Sequence, residues 1–407
     1  VINKDIFEFP IIYTNPIPKI ALGWGAYQTA GDECKAAGMK HALIVTTGLK
    51  GTGIVEELKG VINYAGVATD VYDRITSNPK DPEVMGAYRA FKEAKCDGVV
   101  AVGGGSSIDT AKCIRVIEAN GGKDVLNFSV FLNPPFAETL KTMKPCRIPQ
   151  VSVATTAGTG AEVSSWAAIN NTKARAKVLI SGPNVQSTVA IVDPLLIRLQ
   201  PRSFAAWSGF DALAHGIEAF VTKVQGPYAH GILLRANELI AGNLREFVYN
   251  RMDNNACERM AWASTMCGIA IGFGAGAGIV HGLGHQISAL KDVHHGRINA
   301  VMMLAGERYN QPACLEKLAT LAAAMGVDTT NMTAWEAAES WFEEVEQLLD
   351  DLDIIPGHIA DQFGIEENDL EHMVNVYHND FCSQGNPREF NHDEVIDLLK
   401  RVLHEPY

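Results

Sequence analysis

The chain has 407 residues, 47% of them hydrophobic and 20% charged, the composition of an ordinary globular protein with room for two domains. Its formal net charge of −13 argues against nucleic acid as a partner, because that affinity rests on Lys and Arg matched to phosphates. No run approaches the roughly 18 apolar residues of a membrane span, and Val1 to Pro10 lacks a basic region followed by an apolar core, so a cytoplasmic location with no membrane partner is expected.

From His41 to about Val192, short β-branched runs alternate with amphipathic stretches. Residues 42–46 and 67–72 read as strands, and 52–64 and 81–94 as helices. Gly98-Val99-Val100-Ala101-Val102 is apolar throughout and short, the pattern of a buried parallel strand. The alternation predicts an α/β domain over residues 1–192 with a doubly wound sheet. Ala190-Ile191-Val192 reads as its last strand. Asp193-Pro194 then opens a second domain, residues 193–407, where helical spacing takes over, with breaks at Gly226-Pro227, Gln311-Pro312 and Ile355-Pro356-Gly357. That domain is expected to be all helical. The eight cysteines are scattered, with no Cys-x-x-Cys pair, and read as reduced thiols that mostly pack.

In the first domain, Gly103-Gly104-Gly105-Ser106-Ser107 sits between the apolar strand and a helix carrying Asp109 and Lys112. Glycines there let the backbone approach an anion, and the helix start adds free N–H groups and the positive end of its dipole, so the segment suits a pyrophosphate. The plainer reading is a tight turn capped by Ser107 or Asp109. A second cluster, Thr155-Thr156-Ala157-Gly158-Thr159-Gly160-Ala161-Glu162, again follows a strand and is expected to lead into a helix. Two small-residue loops at strand ends can line one crevice long enough for a dinucleotide. Their spacing is not Gly-x-Gly-x-x-Gly.

In the second domain, Asp211 and His215 are four apart on a helical pattern and project from one face. His281 and His285 repeat that offset on another helix, and His294-His295-Gly296 follows a short connection later. Several imidazoles and a carboxylate in apolar, Gly-rich helices carry a large desolvation cost that a cation would offset. Such a donor set suits Fe(II) or Zn(II).

Together, Gly103-Gly104-Gly105-Ser106-Ser107-x-Asp109-x-x-Lys112, Thr155-Thr156-x-Gly158-Thr159-Gly160-x-Glu162, Asp211-x-x-x-His215-x-x-Glu218, His281-x-x-x-His285 with His295-Gly296, and Cys382-x-x-x-Asn386-Pro387-Arg388 resemble the iron-containing alcohol dehydrogenase family over nearly the whole chain. The resemblance implies Asp211, His215, His281 and His295 as ligands of one divalent ion, His295 rather than His294 because it directly precedes glycine. It places His285 beside the metal as a non-ligand, a candidate proton relay. It assigns Gly103, Gly104, Gly105, Ser106 and Asp109 to the pyrophosphate cradle, and Thr155, Thr156 and Thr159 to phosphate and nicotinamide. It also puts Asn78 and Pro79 near the adenine side and Lys177 at the nicotinamide ribose.

Two departures matter. Where many NAD-preferring relatives carry an acid at the end of the second strand, this chain has Thr47, which leaves NAD first and NADP or dual use open. Ahead of His281, where relatives often have an aromatic and asparagines, stands the stretch 271–278, including Gly272 and Phe273. With Trp166 and Cys382, Gly272 and Phe273 are the candidate substrate pocket. The glycine-rich stretch favours a small functionalised aldehyde, sulfoacetaldehyde first, with lactaldehyde, 1,3-propanediol and simple short alcohols as alternatives. A glycerol dehydrogenase-like enzyme and a metal or nicotinamide binder without turnover are the rival readings. A homodimer or larger homo-oligomer is expected from the resemblance, with residues 17–22 as a candidate pairing strand.

Overall fold

A computed structural model describes residues 16–130, 136–223, 226–273 and 276–405. Val1 to Pro10 and residues 274 and 275, which entered the sequence expectations, lie outside them.

The first half contains β1 (Lys19–Leu22), α1 (Ala30–Ala36), β2 (His41–Thr46), α2 (Ile54–Tyr64), β3 (Ala68–Tyr72), α3 (Asp81–Glu93), β4 (Gly98–Gly103), α4 (Gly105–Ala119), β5 (Ser129–Val130), α5 (Phe136–Thr142), β6 (Gln150–Ala154), β7 (Trp166–Asn171), β8 (Ala176–Ser181) and β9 (Val189–Val192). Six of these strands form a parallel sheet in the order β1-β9-β6-β4-β2-β3. Side chains on one strand alternate between its faces. Ala42 and Ile44 join Ile54, Leu58 and Ile62, which lie four apart along α2. Leu43 and Val45 join Ala87 and Phe91 of α3 and Ile108 and Ile114 of α4 on the other side. Helices on both faces explain why β4 and β9, inside the sheet, are apolar throughout, and the doubly wound expectation is met.

The sequence reading did not anticipate a second sheet. β5, β8 and β7 form an antiparallel three-stranded unit, with Ala167–Ile180 and Ile169–Val178 pairs in its apolar core. The helix expected after Glu162 is also absent: residues 155–165 form a loop and turn that run straight into β7. This loop is wedged against helices of the second half, and Glu162 is buried rather than solvated on a helix face.

After Val192 every regular element is helical: α6 (Pro194–Ile197), α7 (Arg202–Val221), α8 (Pro227–Ala241), α9 (Leu244–Tyr249), α10 (Asn254–Gly272), α11 (Ile279–Lys291), α12 (His295–Ala324), α13 (Ala334–Asp351), α14 (Ile359–Phe363), α15 (Glu367–His378), α16 (Phe381–Gly385) and α17 (His392–His404). The Asp193 carboxylate caps α6 through Leu195 N (2.9 Å) and also accepts from Gly25 N and Tyr27 N, anchoring the turn after β1. The break expected at Gln311-Pro312 is present as a kink where two helical segments of α12 meet. Pro312 lies within α12, and the chain kinks at Cys314 (φ −140°, ψ 26°). One large core joins α7, α10, α11, α12 and α13 through residues such as Phe210, Ile217, Leu283, Val301 and Trp341. All eight cysteines are buried and unbridged. Among the described residues no helix is long and apolar enough to cross a membrane.

Gly160 fixes how the 155–165 loop meets α10. Its φ is +57°, and a Cβ there would stand 2.6 Å from the Gly268 Cα. Gly160→Ala is therefore expected to lower unfolding stability by about 2–4 kcal/mol, from left-handed strain plus overpacking. Urea denaturation would read this, and a loss below about 0.5 kcal/mol would show that the contact yields easily.

Candidate metal and cofactor site

Helices α7, α11 and α12 converge on one buried cluster. Ligand atoms of Asp211, His281 and His295 lie within 4.8 Å of one another. His281 Nε2 is 3.8 Å and His295 Nε2 4.0 Å from Asp211 Oδ1. His215 joins through His281, with the two Nε2 atoms 3.1 Å apart.

The outer partners of these rings decide what that short approach means. His215 Nδ1 is 2.8 Å from the Asp211 main-chain oxygen, which can only accept, so Nδ1 carries the hydrogen. His281 Nδ1 bonds the Glu218 carboxylate. Glu218 also accepts from Gly278 N, Val280 N and His281 N, so it acts as an acceptor on both oxygens and leaves the hydrogen on His281 Nδ1. Both neutral rings then turn an Nε2 lone pair toward the other. Two facing lone pairs need a positive charge between them, either a proton on one ring or a metal ion bound by both.

Electrostatics favour a cation at that point. Burial alone would hold His281 neutral, but the Glu218 carboxylate overrides it and the net shift is upward. His215 is driven down to about 4, first by burial and then by His281, and burial pushes His295 well below the usual range. Neutral imidazoles with one carboxylate and outer-sphere acceptors are the donor set a divalent ion takes. The residues therefore fit the metal implied by the sequence.

Glu218 also caps α11. The N-cap residue of this helix, Gly278, has no side chain, and the carboxylate reaching over from α7 takes up the first N–H groups. Its role was readable, since Asp211, His215 and Glu218 follow the i, i+4, i+7 spacing of one helix face. Asn299, which donates to Asp211 Oδ1 (2.8 Å) and lies 3.1 Å from His295 Nε2, was missed. It is one turn beyond His295 and looks like an ordinary core asparagine.

The two small-residue loops do meet. A Cβ on Gly104 would stand 3.1 Å from Thr156 Oγ1, and one on Gly105 3.0 Å from Thr159 Cγ2. Gly104 and Gly105 thus lie along one edge with Thr156 and Thr159, and Thr155 N donates to the Gly103 carbonyl (3.1 Å). This edge lies at the carboxyl ends of β4 and β6 and at the start of α4.

Other expected cofactor residues have protein partners. Asp109 Oδ2 accepts from Ala168 N (2.9 Å), and its Oδ1 faces the fully buried Lys112 Nζ (3.3 Å). Thr47 Oγ1 donates to the Ile75 carbonyl (2.6 Å). The Pro79 carbonyl accepts from Asn170 N (2.8 Å). Lys177 Nζ donates to Asn78 Oδ1 (3.0 Å) and Ser288 Oγ (3.1 Å), and burial lowers it to about 8 against the pull of Asp109 and Asp211.

Of the expected pocket residues, Trp166 packs on Phe381 (ring centroids 4.9 Å) and Phe273 on Tyr228 (4.7 Å). Gly272 faces open space, and Cys382 is buried beside Gly282. His285, one turn after His281, stacks on His295 at 5.3 Å.

The chain is similar to known proteins along nearly its whole length. The family model described as iron-containing alcohol dehydrogenase matches residues 17–194, and that of the Fe-containing alcohol dehydrogenase family, C-terminal, matches residues 205–403. A methanol:N,N-dimethyl-4-nitrosoaniline oxidoreductase of Mycobacterium sp. (strain DSM 3803 / JC1) is 37% identical, with 99% of each chain covered. An NAD-dependent methanol dehydrogenase of Bacillus methanolicus is 34% identical over 95% of this chain and 98% of its own. A crystal structure of a 1,3-propanediol oxidoreductase superposes with a TM-score of 0.88 at 33% identity, covering 97% of this chain and all of that one. The chain belongs to the iron-containing alcohol dehydrogenase family. Its class is that of metal-dependent, nicotinamide-linked oxidoreductases acting on alcohols and aldehydes.

If Glu218 fixes the His281 tautomer, Glu218→Gln should weaken divalent-metal affinity by about 10–100-fold. Competition with a chromogenic chelator would measure this. Unaltered affinity in a folded variant would remove Glu218 from the metal site.

Proposed function

We propose that residues 1–192 form the nicotinamide domain and residues 193–407 the metal domain of an enzyme that interconverts a short, uncharged primary alcohol and its aldehyde. In this reading Asp211, His215, His281 and His295 hold one divalent ion, and the crevice between the 103–106 and 155–159 loops takes the cofactor. The observation that carries it is the pair of facing imidazole nitrogens 3.1 Å apart, set close to that crevice. Gly158 of the second loop lies against Ser208, three residues before Asp211, where a Cβ would stand 2.7 Å from the Ser208 carbonyl oxygen.

When bound, the ion supplies positive charge to a carbonyl or alkoxide oxygen, and the nicotinamide exchanges the hydride. The protein's own residues supply alignment and proton handling. The N–H groups at the start of α4 face the pyrophosphate. Lys177, already bonded to Asn78 and Ser288, holds the ribose side of the cleft. His285 takes up or returns the alcohol proton. Trp166 and Phe381 form an aromatic wall that excludes water.

The named relatives act on methanol and 1,3-propanediol, which supports a small neutral substrate. We place sulfoacetaldehyde, favoured by the glycine-rich stretch, second. A sulfonate calls for a cation, and the buried ammonium felt by Asp211 and Asp380, that of Lys177, is already bonded to protein oxygens. NAD stands first. The Thr47 hydroxyl puts no carboxylate at the end of β2, so NADP use within about tenfold of NAD is expected.

The test is a matrix of methanol, ethanol, 1,3-propanediol and sulfoacetaldehyde against NAD(H), NADP(H) and N,N-dimethyl-4-nitrosoaniline, with chelator-stripped protein reloaded with Fe(II) or Zn(II). The expected result is metal-restored turnover, with kcat/KM for a neutral substrate about tenfold or more above that for sulfoacetaldehyde. The reverse ratio would reinstate the anionic aldehyde. Metal and nicotinamide binding without turnover on any pair would make the chain a binding protein.

A further inference from the structure

His285, Asp380 and Cys382 form a second cluster, buried in all three members, next to the metal donors. Nothing in the sequence pairs His285 with Asp380, 95 residues away. In the structure His285 Nδ1 lies 3.0 Å from Asp380 Oδ2, and the two residues are 5% and 3% exposed.

Asp380 precedes the short helix α16, and its Oδ1 accepts the Cys382 main-chain N–H at 2.9 Å. Its Oδ2 also stands 3.4 Å from the Gln286 side-chain amide nitrogen. A main-chain N–H only donates, so Oδ1 is committed as an acceptor. With Oδ2 receiving as well, the carboxylate acts as an acceptor at both ends, and His285 has to place its hydrogen on Nδ1. The neutral ring is left with its lone pair on Nε2. Cys382 does not compete for the role of base, because burial, reinforced by Asp380, keeps its thiol protonated.

We infer that Asp380 is a positioning residue which fixes the His285 tautomer, presenting the Nε2 lone pair that receives the alcohol proton in oxidation and, once protonated, returns it in reduction. The inference rests on the reading of His285 as the proton relay.

The substitution Asp380→Asn is close to isosteric and has a directional consequence. An asparagine offers one acceptor where two are needed. The Cys382 N–H cannot reverse its polarity, so it claims the amide oxygen and the NH2 group turns to His285. Imidazole can reverse, and its hydrogen moves to Nε2. The variant therefore keeps the packing and presents a donor where the relay needs an acceptor.

The test uses Zn(II)-loaded holoenzyme labelled with 15N-histidine, with His285→Ala assigning the His285 signals. The wild-type spectrum should show a protonated, pyrrole-type Nδ1 and a pyridine-type Nε2, and D380N should show the opposite. In steady state, D380N should lose about 10²–10⁴-fold in kcat, the range for a general acid–base group. KM should stay within about threefold and the double variant D380N/H285A should be no slower than H285A, as for residues acting as one unit. Metal content should be unchanged in all three.

A wild-type Nε2–H tautomer, or an Nδ1–H that persists in D380N, would overturn the inference whatever the kinetics. The wild-type spectrum suffices even if the variant does not fold. Wild-type turnover in H285A would instead overturn the relay reading beneath it, and the two failures are told apart because one is read in the spectrum and the other in the rate.

Discussion

Two imidazole nitrogens with their lone pairs turned toward each other at 3.1 Å set the terms for the helical half of this protein. The orientation is imposed from outside the pair: by the Asp211 carbonyl on His215, and by the Glu218 carboxylate on His281. Without positive charge the arrangement would combine lone-pair repulsion with the desolvation of two fully enclosed carboxylates. The site exists because three helices are brought unusually close. Gly296, directly after His295, lets α12 lie against the Trp207 carbonyl of α7, and any side chain there would push the third histidine away. Glu218 also caps α11, so the N–H groups that would otherwise be orphaned at that helix start hold in place the carboxylate that orients His281.

On the proposed reading the second requirement is register between this cluster and the 103–106 and 155–159 loops, since hydride transfer depends on a near-attack geometry held to fractions of an ångström. Several polar ties cross between the halves. Asn78, in the left-handed region at φ 53°, donates to Asp292 Oδ1 and the Val293 carbonyl, and its own oxygen accepts from Ser288 and Lys177. Lys80 pairs with Asp292 at 2.8 Å. Both reach the connection between α11 and α12, which lies between two histidine-bearing helices. Asn78, expected on the adenine side, thus fastens the α/β half to the helical half.

How much was legible follows from what kind of information each feature needs. The parallel sheet was readable because inner strands such as β4 are apolar throughout, and α2 shows its buried face as Ile54, Leu58 and Ile62 at one spacing. The buried cluster of Asp211, His215, His281 and His295 was legible because Asp211 with His215, and His281 with His285, sit four apart on helices, with His295 a short connection later. The antiparallel β5, β8, β7 unit was not: β7 and β8 form a local hairpin across residues 172–175 that the helix expected after Glu162 hid, and β5 joins it from a distant segment. The 155–165 loop passed for the start of a helix because its coil state is set by contact with Ser208 and Gly268, far along the chain. Asp380 left no trace, because a tautomer is fixed by an atom in space and not by spacing.

Behind Glu218 lies another acid whose state bears on the first. Glu307 is fully buried, accepts only a long bond from Asn310 Nδ2 (3.4 Å), and is pushed up to about 8 by burial and then by the charge of Glu218. A neutral acid at this position spares the carboxylate that holds His281 a second buried negative charge beside it. The polar chain continues outward: Asn310 Oδ1 accepts from Asn386 Nδ2 (2.7 Å), and Asn386 Oδ1 takes the Ile279 N–H at the start of α11 (3.0 Å). The first turn of α11 is therefore held by two side chains from different parts of the chain, Glu218 and Asn386. This accounts for how a helix that begins just after a glycine-rich stretch carries His281 and His285 in fixed orientations without a cap of its own.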